Sequence, residues 1–257
     1  MKSNFKELMM QAVFFIAACA SVLAVVLICV FLFANGLPAM GKIGVFKFLL
    51  GTKWKPGNDI FGIFPMILGS IYVTAGAIVI GVPVGILTSV FMAEYCPKKI
   101  YRPLKMATEL LAGIPSIVYG LFGALFFVST LKWKLSLMAG ACTLAIMVLP
   151  VILRTTEEAL MSVPDSYREG SFGLGAGKLR TVFKVVLPSA IPGILSGVIL
   201  AIGRIVGETA ALIYTAGAAT KVAGGLFESG RTLAVHMYSL SREGLHTDQT
   251  YATAVVL

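Results

Sequence analysis

Between Asp59 and Glu94 the chain reads IFGIFPMILGSIYVTAGAIVIGVPVGILTSVFMA, Ile60 to Ala93, without one charged residue. A helix needs about 20 apolar residues to cross a ~30 Å hydrocarbon core. The stretch does not alternate with period two, as a barrel strand would. In lipid, backbone groups must pair with one another, so the stretch reads as a membrane-spanning helix. The runs Leu8–Gly41, Leu110–Leu131 and Leu135–Leu153 are also uncharged. Val185–Gly203 is uncharged up to Arg204, and apolar character resumes after Glu208 as far as Thr220. The pattern predicts an all-α polytopic membrane protein with one transmembrane domain. Its spans are expected over about 10–35, 62–92, 110–131, 135–153 and 190–219, with a loop over 154–184 between the fourth and fifth. Tyr251–Leu257 reads as the first turns of a sixth span beginning about 250. The expectation is thus five full spans and the start of a truncated sixth.

Composition agrees with this reading. The chain is 58% apolar and 13% charged, with mean hydropathy +0.91. A soluble domain is roughly 45–50% apolar and about 25% charged. The net charge of +9 does not point to nucleic acid, because the cations form short clusters between apolar runs, where they anchor helix ends to headgroups. Lys2 and Lys6 precede an apolar run far longer than a signal-peptide core, so an uncleaved first helix is expected. With the N-terminus inside, eleven cationic residues face the cytoplasm and nine face out, a slight preference for that orientation.

Catalytic chemistry finds no support. Gly173-Leu-Gly-Ala-Gly-Lys178 has Phe172 where a phosphate loop needs glycine, and Leu179 where it needs Ser or Thr. Cys19, Cys29, Cys96 and Cys142 form no Cys-x-x-Cys pair, and His236 and His246 stand alone. The cysteines read as small core hydrophobes. No catalytic or metal-ligating set is expected.

The loop RTTEEALMSVPDSYREGSFGLGAGKLRTVFK, Arg154 to Lys184, is the longest between spans. Pro164 breaks a helical stretch, and Asp165 or Ser166 can cap a new short helix. That helix would carry Tyr167, Phe172 and Leu174 and end near Gly175 and Gly177. Gly175 is expected to allow a left-handed conformation or a close backbone approach. The helix fits a docking element as well as a solvated connector.

In the fifth span, Gly193, Gly197, Ala201, Arg204 and Glu208 fall on one narrow face at ~100° per residue, flanked by Gly203 and Gly207. Small residues permit close helix packing. Counted from Pro192, Arg204 lies about 18 Å along the helix, near the midplane. Glu208 at i+4 can pair with it. The pair reads either as a structural ion pair or as an anion contact on a water-filled path. Pro83 and Pro115 should kink their spans. Ser116 and Tyr119 could line the path or serve packing. Arg231–Ser241 could form a short helix on the outer surface.

Glu169-Gly-Ser171, Gly175, Val185 and Leu187-Pro188 have the spacing of a cytoplasmic signature of ABC importer permeases. Gly170 and Ser171 replace two alanines of that signature. Gly62–Tyr72, Ala93-Glu-Tyr95, Glu109–Gly120, Arg154–Glu158 and Gly203–Thr209 resemble the phosphate importer permeases. Gly207-Glu-Thr-Ala-Ala and Gly230–His236 are more similar to the PstA subunit than to its partner PstC. The resemblance implies a type I importer fold with a cytoplasmic N-terminus, in the cell (inner) membrane of a bacterium or archaeon. It implies that Pro164, Tyr167, Arg168, Glu169, Gly170, Ser171, Gly175, Leu187 and Pro188 serve a coupling helix seated in an ATPase groove. It adds Thr209 and Ser116 to Arg204 and Glu208 along the substrate path. The implied partners are a second, PstC-like permease, two PstB-like ATPase subunits and an extracytoplasmic PstS-like phosphate-binding protein. ATP and magnesium would bind the ATPase, and no cofactor this chain. Family members complete a sixth span. The alternatives are another oxyanion, molybdate or sulfate, and a secondary transporter, for which no inverted repeat is found.

Overall fold

The computed structural model describes residues 2–257, with side chains from residue 6 on, so the Lys2 side chain counted above lies outside the described residues. Helix α1 (Lys2–Ile43) leads into α2 (Val45–Leu50). Strands β1 (Trp54–Lys55) and β2 (Ile60–Phe61) pair antiparallel, Trp54 opposite Phe61. Pro56-Gly-Asn-Asp59 turns between them, and Asp59 takes φ 55°, a left-handed conformation that Asp tolerates. Helix α3 (Phe64–Val90) runs on through a π turn, Phe91–Tyr95. Helix α4 (Lys98–Ala112) is followed by α5 (Ser116–Gly123), which a π segment extends to Thr130. Helix α6 (Leu137–Met161) starts at Ser136, whose hydroxyl caps the Ala139 amide at 3.3 Å.

Helix α7 (Asp165–Gly173) is the short helix of the loop between the fourth and fifth spans. Helix α8 (Lys178–Thr181) joins α9 (Leu187–Val206) through a π turn, Val182–Val186. Pro188 explains that turn, since it has no amide to continue the helical ladder. Helices α10 (Ala210–Thr215), α11 (Leu233–Glu243) and α12 (Thr247–Val256) complete the chain.

The centre is a pack of α3, α6 and α9 around Ala77, Leu144, Val148, Ile152, Ala201 and Ile205. Small residues set its spacing. A Cβ on Gly85 would meet Ile152 Cγ2 at 2.6 Å, and one on Gly76 would meet Ala141 Cβ at 2.8 Å. Helix α1 stands apart, its apolar window unburied. Its main neighbour is α12, where Tyr251 meets Phe31 at 5.6 Å. A solvent-facing surface of Phe14, Phe15 and Ile16 would be costly in water; in lipid it is the expected state.

Four helices, together with α4 and α5 as one bent pair, are long and apolar enough to cross a membrane. Three expected boundaries change. The third span is not one kinked helix over 110–131. Gly113 closes α4, Pro115 sits extended at ψ 142°, and α5 departs at 97°. The helix of the fourth span does not stop at Leu153 but continues to Met161, so the charged Arg154, Glu157 and Glu158 extend it. The fifth span breaks after Val206. The cysteines are not core residues either. Cys19 and Cys29 are exposed on α1, and Cys96 and Cys142 are half-buried. The short helix expected over Arg231–Ser241 forms as α11, with Leu233, Val235, His236 and Leu240 buried on one face and Tyr238, Arg242 and Glu243 exposed.

Candidate functional site

Helix α9 buries a face of Ala190, Ile194, Gly197, Ala201 and Ile205. Gly193 and Gly197 admit α6: a Cβ on Gly193 would lie 2.6 Å from that of Ala159, and one on Gly197 would overlap Thr155. Gly203 and Gly207 do not pack in this way. A Cβ on Gly203 would meet nothing within 4 Å, and one on Gly207 would meet only the Gly203 carbonyl oxygen, at 3.8 Å. They fall beside the buried face, towards open space.

The helix ends at Val206, so Glu208 does not follow Arg204 by one helical turn. Among the described residues no ion pair includes Arg204 or Glu208. Glu208 Oε1 instead accepts the Ala211 amide at 3.0 Å. The carboxylate therefore caps α10, where a negative charge complements the helix N-terminus. Thr209 holds the N-cap position without a side-chain cap. Arg204 is exposed on the surface of the chain.

Ser116 is half-buried in the first turn of α5. Tyr119 is buried, and its hydroxyl donates to the Leu111 carbonyl at 2.7 Å. It latches the bend between α4 and α5. Gly120 and Gly123, which sequence reasoning missed, let α5 approach α10. A Cβ on Gly120 would meet Ala211 Cα at 2.7 Å. Irregular backbone at membrane depth is tolerated where it is covered by protein or lines a water-filled cavity. An unpaired guanidinium beside such a break can donate two parallel hydrogen bonds to an oxyanion.

In the loop between the fourth and fifth spans, α7 begins directly after Pro164. Asp165 and Ser166 do not cap it; Asp165 Oδ1 accepts from Arg168 Nη1 at 3.2 Å. Tyr167, Phe172 and Leu174 are exposed, Leu174 at 91%. Glu169 and Gly170 are exposed with them. Gly175 takes φ 80° with open space around it, so its left-handed conformation is what requires glycine, and not a close approach.

Arg168 points inward. Its Nε and Nη2 donate to Glu94 Oε1 at 3.2 and 2.8 Å, and the guanidinium also reaches the Leu160 and Val163 carbonyls at 3.0 and 2.8 Å. It thereby satisfies carbonyls at and just beyond the end of α6. Ser171 Oγ meets Thr181 Oγ1 at 2.8 Å, tying α7 to α8. Leu187 packs with Val90 and Val186, and Pro188 is exposed. Of the residues expected on an ATPase-facing helix, Arg168, Ser171 and Leu187 thus hold it in place, while Tyr167, Glu169 and Gly170 face out. Glu94 was missed as a partner; its signal was that it alone ends the uncharged run. Lys178 adds to the joint by donating to the Glu94 carbonyl and lying 4.8 Å over the Tyr95 ring.

A second polar joint links α4 to α6. Tyr101 donates to the buried Glu157, and Lys105 Nζ lies 3.7 Å from the same carboxylate. The Tyr101 hydrogen bond, and then the Glu157 charge, raise the Lys105 pKa above its ordinary value.

Residues 81–227 match the family described as the binding-protein-dependent transport system inner membrane component. The chain belongs to this family. This transport component is 36% identical to the probable ABC transporter permease protein YqgI of Bacillus subtilis, over 90% of this chain and 82% of that protein. It is 33% identical to the phosphate transport system permease protein PstC of Mesorhizobium japonicum, covering 93% and 82%. It is 38% identical to PstA 2 of Mycobacterium bovis, covering 78% and 66%. A bacterial ABC transporter involved in import of the polysaccharide alginate shares the fold, with TM-score 0.58 over 93% and 89% of the two chains at 16% identity. The transport component is a multi-pass membrane protein of the type I ABC importer permease fold.

Proposed function

We propose that the chain is a PstA-like permease subunit of an ATP-driven inorganic phosphate importer. One observation carries the reading. A single chain combines an exposed, unpaired Arg204 beside a broken span with a loop helix that turns Tyr167, Phe172 and Leu174 outward. The first is suited to an oxyanion and the second to a protein groove. The likeness to the phosphate permeases PstA and PstC supports phosphate as the anion.

In this reading a second, PstC-like permease closes the path against Arg204, Gly203 and Gly207. Two ATPase subunits bind ATP and magnesium and receive α7, and an extracytoplasmic binding protein delivers phosphate. Thr209 and Ser116 flank the path. The N-terminus and α7 are cytoplasmic. This chain supplies no catalytic group and binds no cofactor.

The test is the ATPase activity of the assembled complex with its binding protein. Phosphate is expected to stimulate it, and molybdate and sulfate are not. Stimulation by either of those and not by phosphate would transfer the reading to that anion. Phosphate uptake by this chain without an ATPase would replace it with a secondary transporter.

A further inference from the structure

Helix α4 carries two faces. At ~100° per residue, Ile100, Ala107 and Leu111 fall on one line, and Lys98, Arg102, Lys105 and Glu109 lie opposite. Tyr101 and Lys105 are taken up by Glu157 of α6. Leu104 and Thr108 are half-buried beside them, while Ile100 is 50% exposed and Leu110 63%. Lys98, Lys99 and Arg102 are exposed, and among the described residues no ion pair includes them.

The bend decides what covers this surface. Helix α4 meets the apolar limb Ser116–Thr130 at 97°. That limb is roughly 22 Å long at ~1.5 Å per residue, most of a hydrocarbon core. With the limb across the bilayer, α4 lies in the membrane plane at its edge. The level is set a second time by α6, whose charged end, with Arg154 and Glu158, begins where α4 docks.

We propose that α4 is an interfacial helix that binds anionic lipid headgroups through Lys98, Lys99 and Arg102, with the Ile100–Ala107–Leu111 line in the acyl region. A helix with a cationic face and an apolar one partitions to such an interface. Because α4 grips Glu157 near the end of α6, and α7 follows that end, the headgroups also fix the mount of α7.

The test uses the complete complex in phosphatidylcholine vesicles with or without phosphatidylglycerol, the four native cysteines replaced by serine. A nitroxide on Ala107→Cys should be relaxed by oxygen and shielded from a water-soluble nickel chelate. One on Glu109→Cys should show the reverse. Spin-labelled phosphatidylglycerol should be retained over phosphatidylcholine, and Lys98→Gln with Lys99→Gln and Arg102→Gln should cut that preference at least ~5-fold, each cation near an anionic surface being worth about that factor. Lys98→Arg with Lys99→Arg should keep it. An Ala107→Cys label hidden from both reagents would mean that a second permease covers the face, and one open to nickel would mean water. Either result, or an unchanged preference in the triple variant, overturns the proposal. None of these readouts depends on which substrate is carried.

Discussion

Arg168 on α7 and Glu94 at the end of α3 form an ion pair at 2.8 Å, their side chains only 18% and 10% exposed. The pair joins α7 to a span lying far from it in sequence. Removing one partner of a buried pair leaves an uncompensated charge, at a cost of about 3–5 kcal/mol. Residual exposure places this pair at the lower end. Arg168→Ala is therefore expected to loosen α7 while the spans still insert. Proteolysis between Pro164 and Gly177 should accelerate in membranes, and Glu94→Gln should do the same more weakly.

The glycines of α9 should divide into two classes. Gly193→Val and Gly197→Val drive a side chain into Ala159 and Thr155 of α6, and overpacking costs about 1–3 kcal/mol. Both should lower the unfolding temperature of the detergent-solubilised chain. Gly203→Ala meets nothing within 4 Å and should leave it unchanged. Any defect in that variant should emerge only with the second permease present.

Gly175→Val should weaken ATPase association with normal membrane levels. A left-handed conformation costs a side-chain-bearing residue about 1–2 kcal/mol, paid in the turn after α7. Copurification of the ATPase with this variant, against the native chain, measures it.

Acid should destabilise the packing of α11 through His236. Burial, and then the Arg231 charge, push its pKa down from 6.5 to about 3. Between those values the unfolded chain binds a proton that the folded chain refuses, so stability falls as pH falls. At pH 5 the loss is about 2 kcal/mol. Thermal unfolding at pH 7 and pH 5 should show it, and His236→Gln should reduce the difference.

The sequence was most legible where one physical signal dominated. Uncharged runs marked α1, α3, α6 and α9, and the Pro164 and Gly175 punctuation framed α7. It was less legible where two signals competed. Leu110–Leu131 is uncharged, yet Gly113 and Pro115 stop the helix within it, and the amphipathic period of Lys98–Ala112 was there to be read. Trp54-Lys-Pro-Gly-Asn-Asp-Ile-Phe61 carries a hairpin signal, but its strands are only two residues each and stand out little beside the uncharged runs. The i+4 spacing of Arg204 and Glu208 suggested a pair only while the helix was taken as unbroken. Inward-facing Arg168 was hidden because its partner Glu94 is remote in sequence, and spacing along one loop cannot reveal such a contact.

Arg204 bears the central claim of anion transport. Among the described residues it has no ionic partner, so its replacement should spare folding and assembly. The decisive measurement is phosphate uptake by the complete complex in vesicles, comparing Arg204→Leu and Arg204→Lys with the native chain at matched levels. Losing a charged hydrogen-bond donor is worth roughly 1.5–3 kcal/mol, so uptake should fall at least ~10-fold in the Leu variant, and markedly in the Lys variant, while basal ATPase activity persists. Near-native uptake by Arg204→Leu would contradict the account.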